Sequence, residues 1–322
     1  MKLTVQELWH ISSEKSQIMP KEYETTDSSK ILVKSSYSLI STGTERIVSK
    51  GMVPVQLWQS MQVPNMEGSF GFPLKYGYSL VGKVIDGDRD WIGKQVHLMN
   101  PHQDYALVSP EQVSVIPDEI PLHRAVLASV METAVNAVWD SRVSIGDLVL
   151  VNGFGLIGAL IAVVADQIPG VQVYVHETNT DRKQIAKSMG FMLVRDHDAQ
   201  EYDLAFNATA KGEGLQYCID KTGYEGTIVE MSWFGNTAVE LNLGTSFHIR
   251  RQRIISSQVS RIPGQKLNRW DHKRRKDLVF GLLKNLTFDV LLTTQLPFSE
   301  ATEVFDSIRQ GILNDISITF TY

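Results

Sequence analysis

The sequence predicts an α/β protein in which a doubly wound parallel sheet is inserted into a discontinuous, β-rich domain. Three observations predict it. Strand and helix patterns alternate from Leu148 to Met231, which implies βαβ units and a parallel sheet with helices on both faces. The first third consists instead of short apolar alternations separated by Pro, Gly and Asn, the texture of an irregular barrel. After Arg253-Ile-Ile-Ser-Ser-Gln the style changes again, to a basic helix and a final strand ending at Tyr322. At 322 residues the chain is long for one core, so two domains are expected. The expected division is 1–121 with 262–322 for the β-rich domain and 122–261 for the parallel sheet.

Taken in order, Lys30-Ile-Leu-Val-Lys-Ser-Ser-Tyr alternates as a strand, and Tyr78 to Ile85 gives a second apolar run punctuated by Gly82. Gly93-Lys-Gln-Val-His-Leu-Met and Tyr105-Ala-Leu-Val-Ser read as further short strands. Between them, Val55-Gln-Leu-Trp-Gln-Ser-Met61 has the spacing of a short amphipathic helix. With Trp58, Met61 and Met66 it reads either as a lid over an apolar substrate or as an oligomer contact or surface packing. Past Pro117-Asp-Glu-Ile-Pro, apolar residues at Val126, Val130, Ala134 and Ala137 predict one long helix over 122–140. Then follow strand 148–151, helix 156–167, strand 171–175, helix 181–189, strand 204–206, helix 213–221 and strand 227–231. The basic run Arg269-Trp-Asp-His-Lys-Arg-Arg-Lys276 reads as a solvated helix face, with an anion clamp at Arg274 and Arg275 as the other reading.

Composition excludes several classes. Hydrophobic residues at 43% and charged residues at 21% suit a globular enzyme. The net charge, 31 − 36 = −5, leaves no basic field for nucleic acid or anionic lipid. The opening MKLTVQELWHISSEK has no apolar stretch after a basic start, and the longest apolar run, Leu156 to Ala165, is too short for a bilayer. A cytoplasmic protein with no membrane or nucleic-acid partner is therefore expected. Cys218 is the single cysteine, so no internal disulfide or cysteine cluster is available.

Gly153-Phe154-Gly155-Leu156-Ile157-Gly158 follows an apolar strand and opens a helix. In that setting the first glycine permits a tight turn, the second lets backbone approach a pyrophosphate, and the third lets helix and strand pack. The helix N-terminus offers free N–H groups to phosphate. The next strand ends at Glu177, placed to accept hydrogen bonds from ribose hydroxyls and to repel a 2′-phosphate. NAD is thus expected ahead of NADP. Asn179 and Arg182 lie just beyond, and Arg182 with Lys183 softens that preference.

Along nearly its whole length the sequence resembles the medium-chain dehydrogenases/reductases. The likeness is carried by Lys30–Glu45, Gly77–Val84, Gly93-Lys-Gln-Val96, the Ile116-Pro-Asp linker, the glycine fingerprint and Leu296-Pro-Phe-Ser-Glu-Ala. Within that superfamily, Ile40-Ser-Thr-Gly-Thr-Glu45 and Ser256-Ser-Gln-Val259 most resemble the branch containing bacteriochlorophyllide dehydrogenase. The resemblance implies a Rossmann domain inserted in a GroES-like domain, a homodimer formed through the edge strand near Ile254, and hydride transfer between the cofactor and a small-molecule substrate. It also implies that Thr44 relays the substrate proton and that Thr133 abuts the nicotinamide. Ala208, Thr209, Ser232 and Trp233 would lie on loops approaching the cofactor. The zinc members' ligand positions carry Thr42, Tyr78 and Ser129 here, none a normal zinc ligand, and no four-cysteine lobe exists. No zinc is expected. A site rebuilt from Glu45, His102 and Glu132 has the right residue types but no ligand-spaced pair; otherwise His102 is a polar loop residue and Glu45 pairs with Arg46 or another cation.

Without zinc, interconverting an alcohol and a ketone needs another proton path and oxyanion stabiliser. Tyr78 stands in the former ligand position, either in that role or simply filling space. As a base its phenol would need a nearby cation, and strand geometry turns Lys75 to the opposite face. The leading expectation is NAD(P)-linked interconversion of a secondary alcohol and a ketone, with Thr44, Tyr78, Thr42 and Glu45 at the site. The alternatives are a zinc-free enone or quinone reductase and a non-catalytic nucleotide-binding protein on the same scaffold.

Overall fold

The computed structural model describes residues 2–24, 27, 29–195, 199–313 and 315–322. Lys2–Ser12 (β1) and Lys15–Glu24 (β2) pair as a long antiparallel hairpin. Their alternation is hidden in the sequence because Glu7 and His10 face inward beside Val5 and Leu8. Ile31–Ile40 (β3) leads into the helix Thr42–Ser49 (α1). The expected helix at Val55–Met61 shrinks to one 3₁₀ turn, Val55–Leu57, on which Val55 is exposed. Short strands follow at Glu67–Gly68 (β4) and Leu74–Lys75 (β5), then Leu80–Asp86 (β6), Gln95–Leu98 (β7), Tyr105–Val108 (β8) and Val113–Val115 (β9).

The long helix expected over 122–140 is two helices, Leu122–Ala125 (α2) and Ala128–Ser141 (α3). The break coincides with a contact from a distant stretch of chain. Ser79 Oγ donates to the Val126 carbonyl at 2.6 Å, occupying an acceptor at the junction.

From there the expected alternation appears: Leu148–Asn152 (β10), Leu156–Asp166 (α4), Gln172–His176 (β11), Thr180–Ser188 (α5), Met192–Leu193 (β12), Tyr202–Asn207 (β13), Gly212–Lys221 (α6), Thr222–Glu230 (β14), Ser246–Ile249 (α7) and Arg253–Ser256 (β15). The six strands form a parallel sheet in the order β12-β11-β10-β13-β14-β15. One face packs Leu150, Ala205 and Ile228 against Leu215, Cys218 and Ile219 of α6. The chain then runs through His272–Leu283 (α8), Thr294–Pro297 (β16), Ala301–Gln310 (α9) and Ile318–Thr321 (β17). The last strand returns to pair antiparallel with β3, in a sheet ordered β16-β17-β3-β6-β7-β9.

The chain divides into two compact units, Met1–Ser129 with Phe280–Tyr322, and Val130–Val279. The seams fall within α3 and α8, outside the 121/122 and 261/262 boundaries read from sequence. The first unit has a core of Leu8, Ile40, Phe305, Ile308, Ile318 and Phe320.

The basic segment is not simply a solvated face. Arg274 is exposed and lies over Trp270, but Arg275 is buried. Its guanidinium donates to Glu132 Oε1 at 3.2 Å, Asn136 Oδ1 at 2.9 Å and the Val259 carbonyl at 2.8 Å. Lys276 takes the other Glu132 oxygen at 2.5 Å. Glu132 is thus committed within its own unit, and Arg275 is no anion clamp. Arg275→Ala leaves a buried carboxylate half-paired and is expected to cost about 3 kcal/mol in denaturant unfolding, against less than about 1 kcal/mol for Arg274→Ala.

His10 generates a second prediction. Burial, then Arg309 and His102 nearby, push its imidazole down to about 3. Nδ1 meets Ser16 Oγ at 2.8 Å, and the ring packs edge-on against Phe305. The folded state holds His10 neutral while the unfolded chain protonates it below the ordinary histidine value of about 6.5. Its stabilising effect is therefore complete above that pH and is lost as pH falls toward 3. A slope of up to about 1.4 kcal/mol per pH unit is expected in that window. His10→Asn should flatten it in melting curves taken from pH 7 to 4.

Candidate active site and cofactor loop

In the parallel-sheet unit, the turn after β10 is built as the glycine spacing requires. Gly153 sits at φ +94°, and a Cβ there would lie 3.0 Å from the Ala208 carbonyl. A Cβ on Gly158 would stand 1.9 Å from the Gly153 oxygen. Gly155 caps α4 in extended conformation, with open space on its face except for Arg182 Nη1, 3.5 Å from where a Cβ would stand. Leu156 and Ile157 begin the helix, whose first-turn N–H groups have no partner inside it.

Glu177 anchors this turn. Its Oε2 accepts from Phe154 N at 2.7 Å, and its Oε1 accepts from Thr178 N at 2.6 Å and Asn179 N at 2.8 Å. Arg182 Nη1 lies 3.9 Å away. Asn179 is the N-cap of α5, its side chain accepting from Arg182 N. Ala208 and Thr209 follow β13, and Ala208 N donates to the Asn152 carbonyl at 2.8 Å. Sequence reasoning passed over the group that organises this edge. Asn207 Nδ2 and Ser232 N each donate to Glu230 at 2.7 Å, and Thr209 Oγ1 donates to Asn207 Oδ1 at 2.8 Å. Ser232 Oγ in turn accepts from Ala210 N. Burial raises the Glu230 carboxyl above its ordinary value, with those hydrogen bonds opposing. Trp233 is partly exposed after Ser232, and Thr133 lies partly buried on α3.

In the β-rich unit, Thr42 and Thr44 open α1, and Tyr78 stands just before β6. The Ser41 and Thr44 side chains lie close enough to the Tyr78 phenol to act on its ionisation. Burial and then the Glu45 charge push the phenol up to about 12, with the two hydroxyls opposing. Tyr78 therefore stays protonated at neutral pH. Lys75 gives it no cation: its ammonium, 2% exposed, is held at 2.7 Å by both Glu7 and Glu67. Glu45 does not pair with Arg46. Its Oε1 accepts from Ser41 N at 2.8 Å, and its Oε2 meets His102 Nε2 at 2.9 Å. Ser129 Oγ donates to the Tyr78 carbonyl at 2.7 Å. Ser41 went unread in the sequence, because Glu45 follows it by four positions and not by the three of a capping box.

No family model matches the chain. D-guloside 3-dehydrogenase from Escherichia coli (strain K12) is 23% identical over 267 residues, covering 73% of this chain and 76% of that protein. Among solved structures, L-idonate 5-dehydrogenase from Escherichia coli superposes with a TM-score of 0.80 at 14% identity, covering 100% of this chain and 99% of the other. 2R,3R-butanediol dehydrogenase from Bacillus subtilis gives 0.77 at 18% identity, covering 99% of each. The chain resembles the medium-chain dehydrogenases/reductases, the family of these relatives, and shares their fold. It is an oxidoreductase of the NAD(P)-dependent type.

Many members of this family hold zinc, and the donor set here does not suit it. Thr42 and Ser129 offer neutral hydroxyls, and the Tyr78 phenol is shifted away from ionisation. Among the described residues no group of three or more His, Cys, Asp or Glu could hold a metal ion. The Glu45–His102 pair, each 0% exposed, is closed on itself, and Glu132 is held by Arg275 and Lys276. The dinucleotide, by contrast, meets a fitting cradle of glycines, free helix N–H groups and a held carboxylate. Gly158→Ala forces the turn open by its clash with the Gly153 oxygen. It should weaken NADH binding by at least about tenfold in a fluorescence titration; an unchanged affinity would remove the turn from cofactor binding.

Proposed function

We propose that the chain oxidises a secondary alcohol in a polyhydroxylated, sugar- or polyol-like substrate to a ketone, using NAD and no zinc. The observation that carries this reading is the hydroxyl cluster at Tyr78. Where the zinc members of the family place metal ligands, this chain has hydroxyl side chains, and the Ser41 and Thr44 hydroxyls act on the Tyr78 phenol. The names of the relatives, a guloside 3-dehydrogenase, an idonate 5-dehydrogenase and a butanediol dehydrogenase, support a substrate bearing several hydroxyls.

The bound dinucleotide supplies a hydride acceptor. The protein's own groups have to handle the proton and hold the oxygen. Tyr78, protonated at neutral pH, donates a hydrogen bond to the substrate oxygen and orients the carbinol carbon. Thr44 accepts the hydroxyl proton as the carbonyl forms and passes a proton on toward solvent, so that one hydride and one proton leave each alcohol. Thr42 and Glu45 keep the start of α1 in place for this. NAD is favoured because Glu177 already carries three N–H donors and keeps one acceptor position for a ribose hydroxyl. Its charge opposes a 2′-phosphate, and Arg182 offsets this in part. The same reading takes Thr133, Ala208, Thr209, Ser232 and Trp233 as the lining of the nicotinamide end. It also takes the protein as a cytoplasmic homodimer joined through the sheet-edge strand β15. Among the described residues no helix is long and apolar enough to cross a membrane.

Titration with NADH and NADPH separately should show tighter binding of NADH; tighter binding of NADPH would reassign Glu177. Polyols and sugar derivatives with NAD should then give reduced cofactor, and Thr44→Val should lower kcat by about a hundredfold. Activity of that variant within a few-fold of wild type takes Thr44 out of the proton path. Turnover of enones or quinones but not alcohols would establish the zinc-free reductase instead. Cofactor binding with no turnover would establish a non-catalytic nucleotide-binding protein.

A further inference from the structure

His102 lies in the connection between β7 and β8 and is 0% exposed. Its carbonyl accepts from Leu8 N at 3.0 Å, tying the connection to β1. The ring is fixed from several sides. Nε2 meets Glu45 Oε2 at 2.9 Å, and Nδ1 meets Ser38 Oγ at 2.7 Å. Ser38 Oγ is 2.7 Å from the hydroxyl of Tyr322, next to the last strand. Phe320 packs edge-on at 5.3 Å between ring centroids. On a further side the ring abuts Gly77, where a Cβ would stand 3.1 Å from both Cδ2 and Nε2. Gly77 holds φ at +135°, a conformation side chains rarely adopt, so the chain reaches Tyr78 directly over the imidazole.

Two segments therefore meet at one ring. The first is the start of α1, reached through Glu45, whose other oxygen receives Ser41 N and whose backbone N donates back to the Ser41 carbonyl at 2.9 Å. That reciprocal bonding fixes Ser41 and Thr44 at the helix start. The second is the Gly77–Tyr78 backbone. We propose that His102 is the positioning residue of the active site, holding Glu45 and Gly77 so that Tyr78 meets Ser41 and Thr44 and points its hydroxyl at the substrate oxygen. This rests on the alcohol-dehydrogenase reading above. It adds a residue that touches neither substrate nor cofactor. A carboxylate accepts only, so His102 donates to Glu45 from Nε2. The charge so fixed is also one that keeps Tyr78 protonated.

Two replacements of His102 separate these contacts. Gln reaches as far as Nε2 and keeps a donor for Glu45, whereas Asn reaches only as far as Nδ1 and keeps Ser38. Both are compared with wild type in kcat and KM for the best alcohol, in NADH affinity, and in the ¹³Cζ signal of Tyr78 in labelled unliganded protein, assigned with Tyr78→Phe. His102→Asn should lower kcat at least about tenfold with NADH affinity unchanged, and should shift the Tyr78 signal. His102→Gln should restore most of both. Equal activity of His102→Asn and wild type, or a Tyr78 signal unmoved in His102→Asn, overturns the proposal. Loss in both variants with equal unfolding also overturns it, since that marks a purely structural role. Where His102→Asn does not fold, Glu45→Gln is measured instead, and an unmoved Tyr78 signal again overturns the proposal. Should no alcohol be turned over by wild type, the functional reading fails, while the Tyr78 signal still decides the role of His102.

Discussion

Glu7 and Glu45 are both 0% exposed, and a buried carboxylate persists only where cations or donors replace the water it has lost. Much of the β-rich unit is organised by meeting that demand. Glu7 draws Lys75 inward and takes hydrogen bonds from Trp9 and Tyr23. Glu45 draws in His102 and the Ser41 amide. Because Lys75 and His102 come from stretches of chain far from Glu7 and Glu45, those two pairs fix where the hairpin, α1 and the loops around Tyr78 meet. Apolar packing alone is less exacting, since it tolerates sliding and exchange of similar side chains.

The cofactor side of the chemistry rests on backbone rather than charge pairs. Gly153 and Gly158 are held at separations that exclude even a methyl group, so the turn has one available shape. Glu177 locks it by gathering three amides that would otherwise turn toward solvent. A dinucleotide bound at this proposed site would meet a turn already ordered, and less binding energy would go into arranging it.

Much of the parallel-sheet unit was legible because its signals are local. The apolar run of α4, the Leu148–Val151 strand and the glycine spacing each lie within a few residues, and the first two are buried as nearly continuous runs. The first hairpin was not legible, since Glu7 and His10 face inward where the pattern leads one to expect apolar residues. The break at Val126 was equally hidden, because the contact that coincides with it comes from a serine 47 positions away. The same reasoning covers the site. Thr44 and Tyr78 could be found by likeness to a family motif, but His102 and Ser38 come together across 64 residues and leave no spacing to read. Arg275 was misassigned to solvent because a helix of basic residues gives no sign of which one meets a distant carboxylate.

Glu177 carries a consequence for cofactor engineering. In many nucleotide-binding folds the acidic residue after the second strand is the obvious one to exchange when altered coenzyme choice is sought. Here the same carboxylate is the latch of the glycine turn through Phe154 N. Neutralising it to admit a phosphate would unfasten the turn proposed to hold either coenzyme. The route to a switched preference in this scaffold therefore runs through the first turn of α5, where Arg182 already stands, and leaves position 177 untouched.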